Sequence, residues 1–132
     1  MPTKIKVGQL VNATPYVVEA KTADYTVTAK DMGKIFTTRG AGASVTFTLP
    51  SSTVVKGGQK VTFFNVADFP MRVQAAATGQ MNVWNTSTTS QCALITAGTL
   101  IGGGFVCITD GTQWLTYPIQ GNTSQGLGTS VG

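Results

Sequence analysis

The groups with which this chain could do chemistry are few: the carboxylates of Glu19, Asp24, Asp31, Asp68 and Asp110, the thiols of Cys92 and Cys107, and no histidine. Without an imidazole there is no ordinary general base near neutral pH. Ser-His-Asp and Cys-His nucleophile systems are excluded, with nearly all catalytic zinc sites. The five acids stand singly along the chain, so their spacing suggests no acid pair of the glycosidase kind. Neither G-x-x-x-x-G-K-[ST] nor G-x-G-x-x-G before a helix occurs. "KGGQK" (56–60) sets two glycines between lysines, but its flanks read as strand, which makes it a turn rather than a phosphate cradle. Asp24, Asp31, Asp68 and Asp110 read as turn formers first. The expectation is a chain that is not an enzyme, with no catalytic, cofactor-binding or metal-ligating residues.

Asp110 is the sharpest case. In "GFVCITDGTQWLTYPIQG" (104–121) it stands near Trp114, an acid beside an aromatic platform. Asp-Gly between two alternating apolar runs is, however, a strong hairpin signal. A two-residue turn at Asp110-Gly111 pairs Thr109 with Thr112, Cys107 with Trp114, and Phe105 with Thr116. Phe105, Cys107 and Trp114 then share one face; Val106, Ile108, Leu115 and Tyr117 share the other. Both faces are apolar, so each must be covered, by the fold itself or by a neighbouring subunit. Phe105, Trp114 and Tyr117 are therefore candidate contact residues, Trp and Tyr being enriched at interfaces.

The elements that must position these residues are strands. No window shows sustained i, i+3, i+4, i+7 apolar spacing, while period-2 alternation is common. Short strands are expected at 16–21, 25–29, 35–38, 44–50, 60–66, 71–76, 81–85 and 92–97, followed by the hairpin. "SVTFTLP" alternates most cleanly, with Val45, Phe47 and Leu49 on one face. "KVTFFNV" is apolar on both faces and should be central. "KDMGK" (30–34) reads as a tight turn and "TSTTSQ" (86–91) as a polar loop. About nine short strands point to an all-β fold, a single antiparallel β-sandwich or jelly-roll-like domain. One domain over 16–119 is flanked by an extended N-terminal arm (1–15) and a Gly/Ser/Thr-rich tail (120–132). The tail is uncharged, and is expected to need another surface to order it.

At 132 residues the chain can bury a core, yet charged residues are only 11%. A Thr- and Gly-rich surface repels itself poorly and suits protein–protein contact. Residues 1–66 carry eight Lys or Arg against three acids; residues 67–132 carry one against two. The lysines are scattered singly, which predicts solvated strand edges rather than a nucleic-acid surface. "MPTKIKVGQL" reads as no signal peptide, and no run is long enough for a membrane-spanning helix. Cys92 and Cys107 are expected as buried free thiols, with a cross-strand bridge as the alternative. Met32, Met71 and Met81 read as gap-fillers. In the arm, Ile5 and Val7 alternate with Lys4 and Lys6, a pattern suited to adding to a sheet edge.

Three elements carry a resemblance. They are Y-x-V-x-x-x-D-x-G-K-x-F (Tyr25, Val27, Asp31, Gly33, Lys34, Phe36), VT-x-T-L-P (Val45, Thr46, Thr48, Leu49, Pro50) and DGT-x-W (Asp110, Gly111, Thr112, Trp114). Together they are similar to a β-domain of tailed-bacteriophage virion proteins: capsid decoration (cement) proteins, head fibres and tail-fibre modules. The match is loose between residues 67 and 103. The resemblance implies a structural protein on the outer capsid surface of the virion, made in the host cytoplasm. Its implied partners are the major capsid protein and further copies of itself, as a homotrimer, with no nucleic acid and no membrane. Lys4, Ile5, Lys6, Val7, Trp84, Phe105, Trp114 and Tyr117 are the expected contact residues. The alternative is a receptor- or carbohydrate-binding module that stacks sugar on Trp84, Tyr25 or Trp114.

Overall fold

The computed structural model describes residues 17–77, 79–83, 86–94, 101–119 and 129–131; of 86–88, 94 and 129–131 the backbone alone is described. Among the described residues twelve strands form: β1 (Val18–Ala20), β2 (Tyr25–Thr26), β3 (Ile35–Thr37), β4 (Val45–Thr48), β5 (Lys60–Phe64), β6 (Met71–Gln74), β7 (Met81–Val83), β8 (Thr86–Thr89), β9 (Gln91–Leu94), β10 (Gly104–Thr109), β11 (Trp114–Ile119) and β12 (Thr129–Val131). One 3₁₀ turn, Ala29–Asp31, is the sole helical element among the described residues. The fold is all-β, as the alternation predicts.

The strands form two sheets. The first has the order β1-β3-β5-β10-β11-β7-β8, the second β12-β9-β6-β4-β2. From β1 to β7 the chain changes sheet after every strand. Each return therefore lays the new strand parallel to the previous one in that sheet. β1, β3 and β5 stack in parallel in the first sheet, with Val18, Ile35 and Thr62 in one row. β2, β4 and β6 do so in the second, with Tyr25, Phe47 and Val73 in one row. β7 pairs in parallel with β11. The β5–β10–β11, β7–β8 and β6–β9–β12 pairs are antiparallel. The sheets are thus mixed, which corrects the expectation of antiparallel pairing. A parallel pair needs a long crossover, and here the crossover is a strand of the opposite sheet.

The core lies between the inner faces. Phe36 (β3), Phe47 (β4) and Phe63 (β5) meet at its centre. Their ring centroids are 5.7 Å apart for Phe36–Phe47, 5.8 Å for Phe36–Phe63 and 4.8 Å for Phe47–Phe63. Val45, Phe47 and Leu49 are buried, as the cleanest alternating segment requires. β5 lies between β3 and β10, the central place its two apolar faces predict. Met71 and Met81 fill core space.

Three local expectations are corrected. The "TSTTSQ" segment is an edge strand, β8, rather than a loop, consistent with the β preference of Thr. Residues 129–131 of the tail pair antiparallel with β9, so the chain's own sheet edge holds them. The β10–β11 pairing is Thr109↔Trp114, Cys107↔Thr116 and Phe105↔Pro118, so each β10 residue meets a partner two places later than expected. Gly111 takes the positive φ of 91°. The Asp110 carboxylate accepts from Thr112 N at 2.8 Å and Gln113 N at 2.7 Å, while Asp110 N donates to Gln113 O at 3.1 Å. Asp110 therefore closes the turn around Gly111-Thr112 instead of occupying its centre. A shift of two leaves every side chain on its expected face.

At Gly104 the β5 backbone leaves β10 no room for a side chain: a Cβ there would collide with the Phe63 carbonyl oxygen. Gly104→Ala should lower unfolding free energy by about 2–3 kcal/mol, read from urea midpoints. A loss below about 0.5 kcal/mol would contradict this approach.

Candidate interaction surface

The expected contact residues divide sharply. Phe105 and Trp114 are 0% exposed. They lie on the inner face, and the indole Nε1 of Trp114 donates to Pro50 O at 2.9 Å. The chain's own core covers them, which corrects their assignment as contact residues. Cys107 shares that face, and both thiols are free and buried. Burial pushes Cys107 up to about 12 and raises Cys92 well above its ordinary value, so neither is a nucleophile at neutral pH. Tyr117 lies on the opposite, outer face and is 51% exposed. Lys4, Ile5, Lys6, Val7 and Trp84 fall outside the described residues.

Register builds the outer face of the first sheet. One row runs Val18–Ile35–Thr62–Val106–Tyr117, and the next Ala20–Thr37–Phe64–Gly104–Ile119. Val18 (62% exposed) and Leu115 (40%) join Tyr117 as large apolar groups open to solvent. Near the β1 edge the face is hollowed into a groove of about 430 Å³, lined chiefly by Val18, Ile35, Thr37, Phe64, Val66 and Ile101. Among the described residues no ionisable residue lines it.

A buried polar pair positions the groove wall. Thr38 Oγ1 donates to Asn65 Oδ1 at 2.5 Å and accepts from the amides of Val66 at 2.9 Å and Ala67 at 3.2 Å. Asn65 N donates to Gly103 O at 2.7 Å, and its carbonyl accepts from Gly102 N at 2.8 Å. The Ile101–Gly103 loop is thereby tied to the end of β5, and Ile101 lines the same groove as Phe64. Such a wall suits apolar contact. Phe64 and Val66 were legible as half of a two-sided apolar strand. Ile101 gave no signal, because it belongs to no alternating run.

The acids are committed elsewhere. At the β1–β2 end of the core, Lys34 Nζ bridges Glu19 Oε1 at 2.7 Å and Asp31 Oδ1 at 2.8 Å. Asp31 Oδ2 accepts from the Tyr25 hydroxyl at 2.7 Å and Thr28 N at 3.0 Å. Lys21 Nζ sits 3.9 Å from the centre of the Tyr25 ring, and Tyr25 lies 5.3 Å from Phe36. The first resemblance element is thus a strut joining β1, β2 and β3. Burial would raise the Asp31 carboxyl, but the bonds from Lys34, Thr28 and Tyr25 outweigh it and hold it at about 2. The Lys34 and Lys21 bonds lower Glu19, and Asp31 and Glu19 raise Lys34. Two carboxylates bridged by an ammonium both stay ionised, so this pair lacks the proton-bearing acid that glycoside cleavage requires. The Asp110 carboxyl is lowered by the Gln113 and Thr112 amides. Asp24 accepts from Thr46 N at 2.9 Å. Among the described residues no cluster of three or more His, Cys, Asp or Glu could hold a metal ion, and no helix is long and apolar enough to cross a membrane.

No protein-family model and no curated protein matches the chain.

The Asp31 carboxyl is depressed from 3.8, so its stabilisation is full above the unfolded value and is lost as pH falls through about 2. Asp31→Asn should cost about 1–2 kcal/mol at pH 7, allowing for partial solvation of the cluster. It should also flatten the fall in stability between about pH 4 and pH 2. Acid titrations of the unfolding midpoint check this; an unchanged slope would contradict the strut.

Proposed function

We propose that this chain is a non-enzymatic structural protein of a tailed-bacteriophage particle, a decoration protein that binds across major capsid protein subunits on the outer shell. The carrying observation is the outer face of the first sheet, where Val18, Leu115 and Tyr117 are exposed and Val18 lines a groove with no ionisable residue in its lining among the described residues. Exposed apolar groups gathered on one sheet face mark interaction sites in soluble proteins. In this reading the two facing sheets are a β-sandwich related to the jelly-roll-like virion domains. The chain self-associates as a homotrimer, and copies seated across neighbouring subunits raise the free energy needed to pull the shell apart.

The resemblance supports this reading, and the physical roles of its residues fit a shared fold. The Tyr25–Asp31–Lys34 strut ties one element together, and the Trp114–Pro50 bond joins the other two. Sugar stacking is less well supported. Trp114 is enclosed, and Tyr25 is engaged by Asp31 on its hydroxyl and by Lys21 on its ring.

Two results test the proposal. In purified particles the chain should be present at a fixed ratio to the major shell protein. Leu115→Asp combined with Tyr117→Asp should reduce particle occupancy about tenfold or more, since two apolar anchors at about 1 kcal/mol each are lost. Absence from particles, a few copies at one tail tip, or undiminished occupancy of the double variant would each count against it.

A further inference from the structure

We propose that the Asp110–Gly111 peptide is a latent site of spontaneous backbone isomerisation, held unreactive by the closed turn and released when the β10–β11 hairpin opens. Asp110 is the one acid of the chain that precedes glycine. Glu19, Asp24, Asp31 and Asp68 precede Ala, Tyr, Met and Phe, and no asparagine precedes glycine. A glycine amide has no side chain to hinder its approach to the preceding carboxyl, and its backbone rotates freely toward it.

The chemistry needs only water. Gly111 N bonds to Asp110 Cγ, and one carboxyl oxygen leaves as water with the amide proton and the carboxyl proton. A five-membered succinimide results. Water then adds to one of its two carbonyl carbons, and the bond from that carbon to the ring nitrogen breaks. Opening at Cγ restores aspartate. Opening at the former main-chain carbon leaves isoaspartate, with the chain running through Cβ and Cγ and the carboxylate on Cα. Composition is unchanged overall, and nothing is oxidised or reduced.

Burial does not protect the peptide, since Asp110, Gly111 and Thr112 are all open to solvent. Hydrogen bonding does. Gly111 N donates to Thr109 Oγ1 at 3.0 Å, which holds the proton that ring closure must remove. Asp110 Oδ1 is committed to Thr112 N and Gln113 N. The Gln113 and Thr112 amides lower the carboxyl and keep it ionised, and a carboxylate is a poorer electrophile than the acid. Ring closure also requires the Asp110–Gly111 peptide to swing about its flanking bonds. The 56–59 turn stands against it: a Cβ on Gly57 would lie 3.3 Å from Asp110 C and 3.6 Å from Gly111 N. That turn is pinned to the end of β10, where Gly58 N donates to Thr109 O at 2.7 Å and Thr109 N to Gln59 O at 3.0 Å. Isoaspartate adds one main-chain atom to the turn and moves the carboxylate off the side chain that caps residues 112 and 113. The hairpin cannot close as before, and its strands lie inside the first sheet. One opening thus leaves a permanent mark.

Asp110 is the last acid of the chain, and Asp68 is the next upstream. An endoprotease that cuts before aspartate but not before isoaspartate therefore reports the change as an uncut 68–132 fragment. Samples are incubated at neutral pH and fully unfolded before digestion. In the folded chain the fragment should accumulate at least about tenfold more slowly than in the same chain kept in guanidinium chloride. Thr109→Val removes the acceptor of the Gly111 N–H in a side chain of the same shape. Folded, it should react about threefold or more faster than the unmodified chain; unfolded, the two should be equal. Thr109→Ser, which keeps the hydroxyl, should stay near the unmodified rate. Equal folded and unfolded rates, no reaction in the unfolded chain, or an unmodified rate in folded Thr109→Val would overturn the proposal. Should Thr109→Val fail to fold, the folded-to-unfolded comparison of the unmodified chain decides alone.

Discussion

The aromatic contact of Phe36, Phe47 and Phe63 is the interaction on which the rest of the structure depends. Phe36 and Phe63 come from neighbouring parallel strands of one sheet, and Phe47 comes from the other. Packing all three in one place fixes which face of β3, β4 and β5 points inward. A slip of one residue in β5 would put Phe64 in the core and Phe63 outside. The same register therefore sets the outer face: once Phe63 is in, Phe64 is out, in line with Thr37 and lining one groove with Ile35. The groove follows from the core.

Polar side chains hold what the rings cannot. The charged residues near the β1–β2 end serve as a cap, with Lys34 between Glu19 and Asp31 and Lys21 over Tyr25. At the opposite flank Trp114 reaches Pro50 O, and Ser52 Oγ donates to Thr112 O at 2.7 Å. These bonds tie the β10–β11 hairpin to the end of β4, elements far apart in sequence. With so few charges, committing several to internal struts leaves the outer face of the first sheet largely apolar.

Much of this was legible in the sequence, and the failures have physical causes. Strict alternation in "SVTFTLP" and the two apolar faces of "KVTFFNV" read correctly, because side-chain direction has a period of two. Parallel stacking was hidden, because alternation is the same whichever way the neighbouring strand runs. The Asp110-Gly111 hairpin kept its faces and lost its register, because the Asp110 carboxylate caps two amides and moves the turn by one residue. The sequence leaves Phe105 and Trp114 as contact residues on a face that either the fold or a neighbouring subunit must cover. Sequence shows that an apolar face needs cover, but not which sheet supplies it. Tyr117, on the other face of the same hairpin, is exposed. For the groove, Phe64 and Val66 had announced an apolar outer side, but Ile101 comes from a loop whose placement depends on Asn65.

The proposed function makes the outer face of the first sheet the surface by which this protein holds a partner. Imaging a phage particle that carries it, at side-chain detail, tests that claim most directly. The account predicts Phe64, Leu115 and Tyr117 packed against shell protein, with the groove beside Ile101 filled by an apolar segment. A particle in which that face is turned to solvent, while the second sheet or the β7–β8 edge makes the contact, would contradict it.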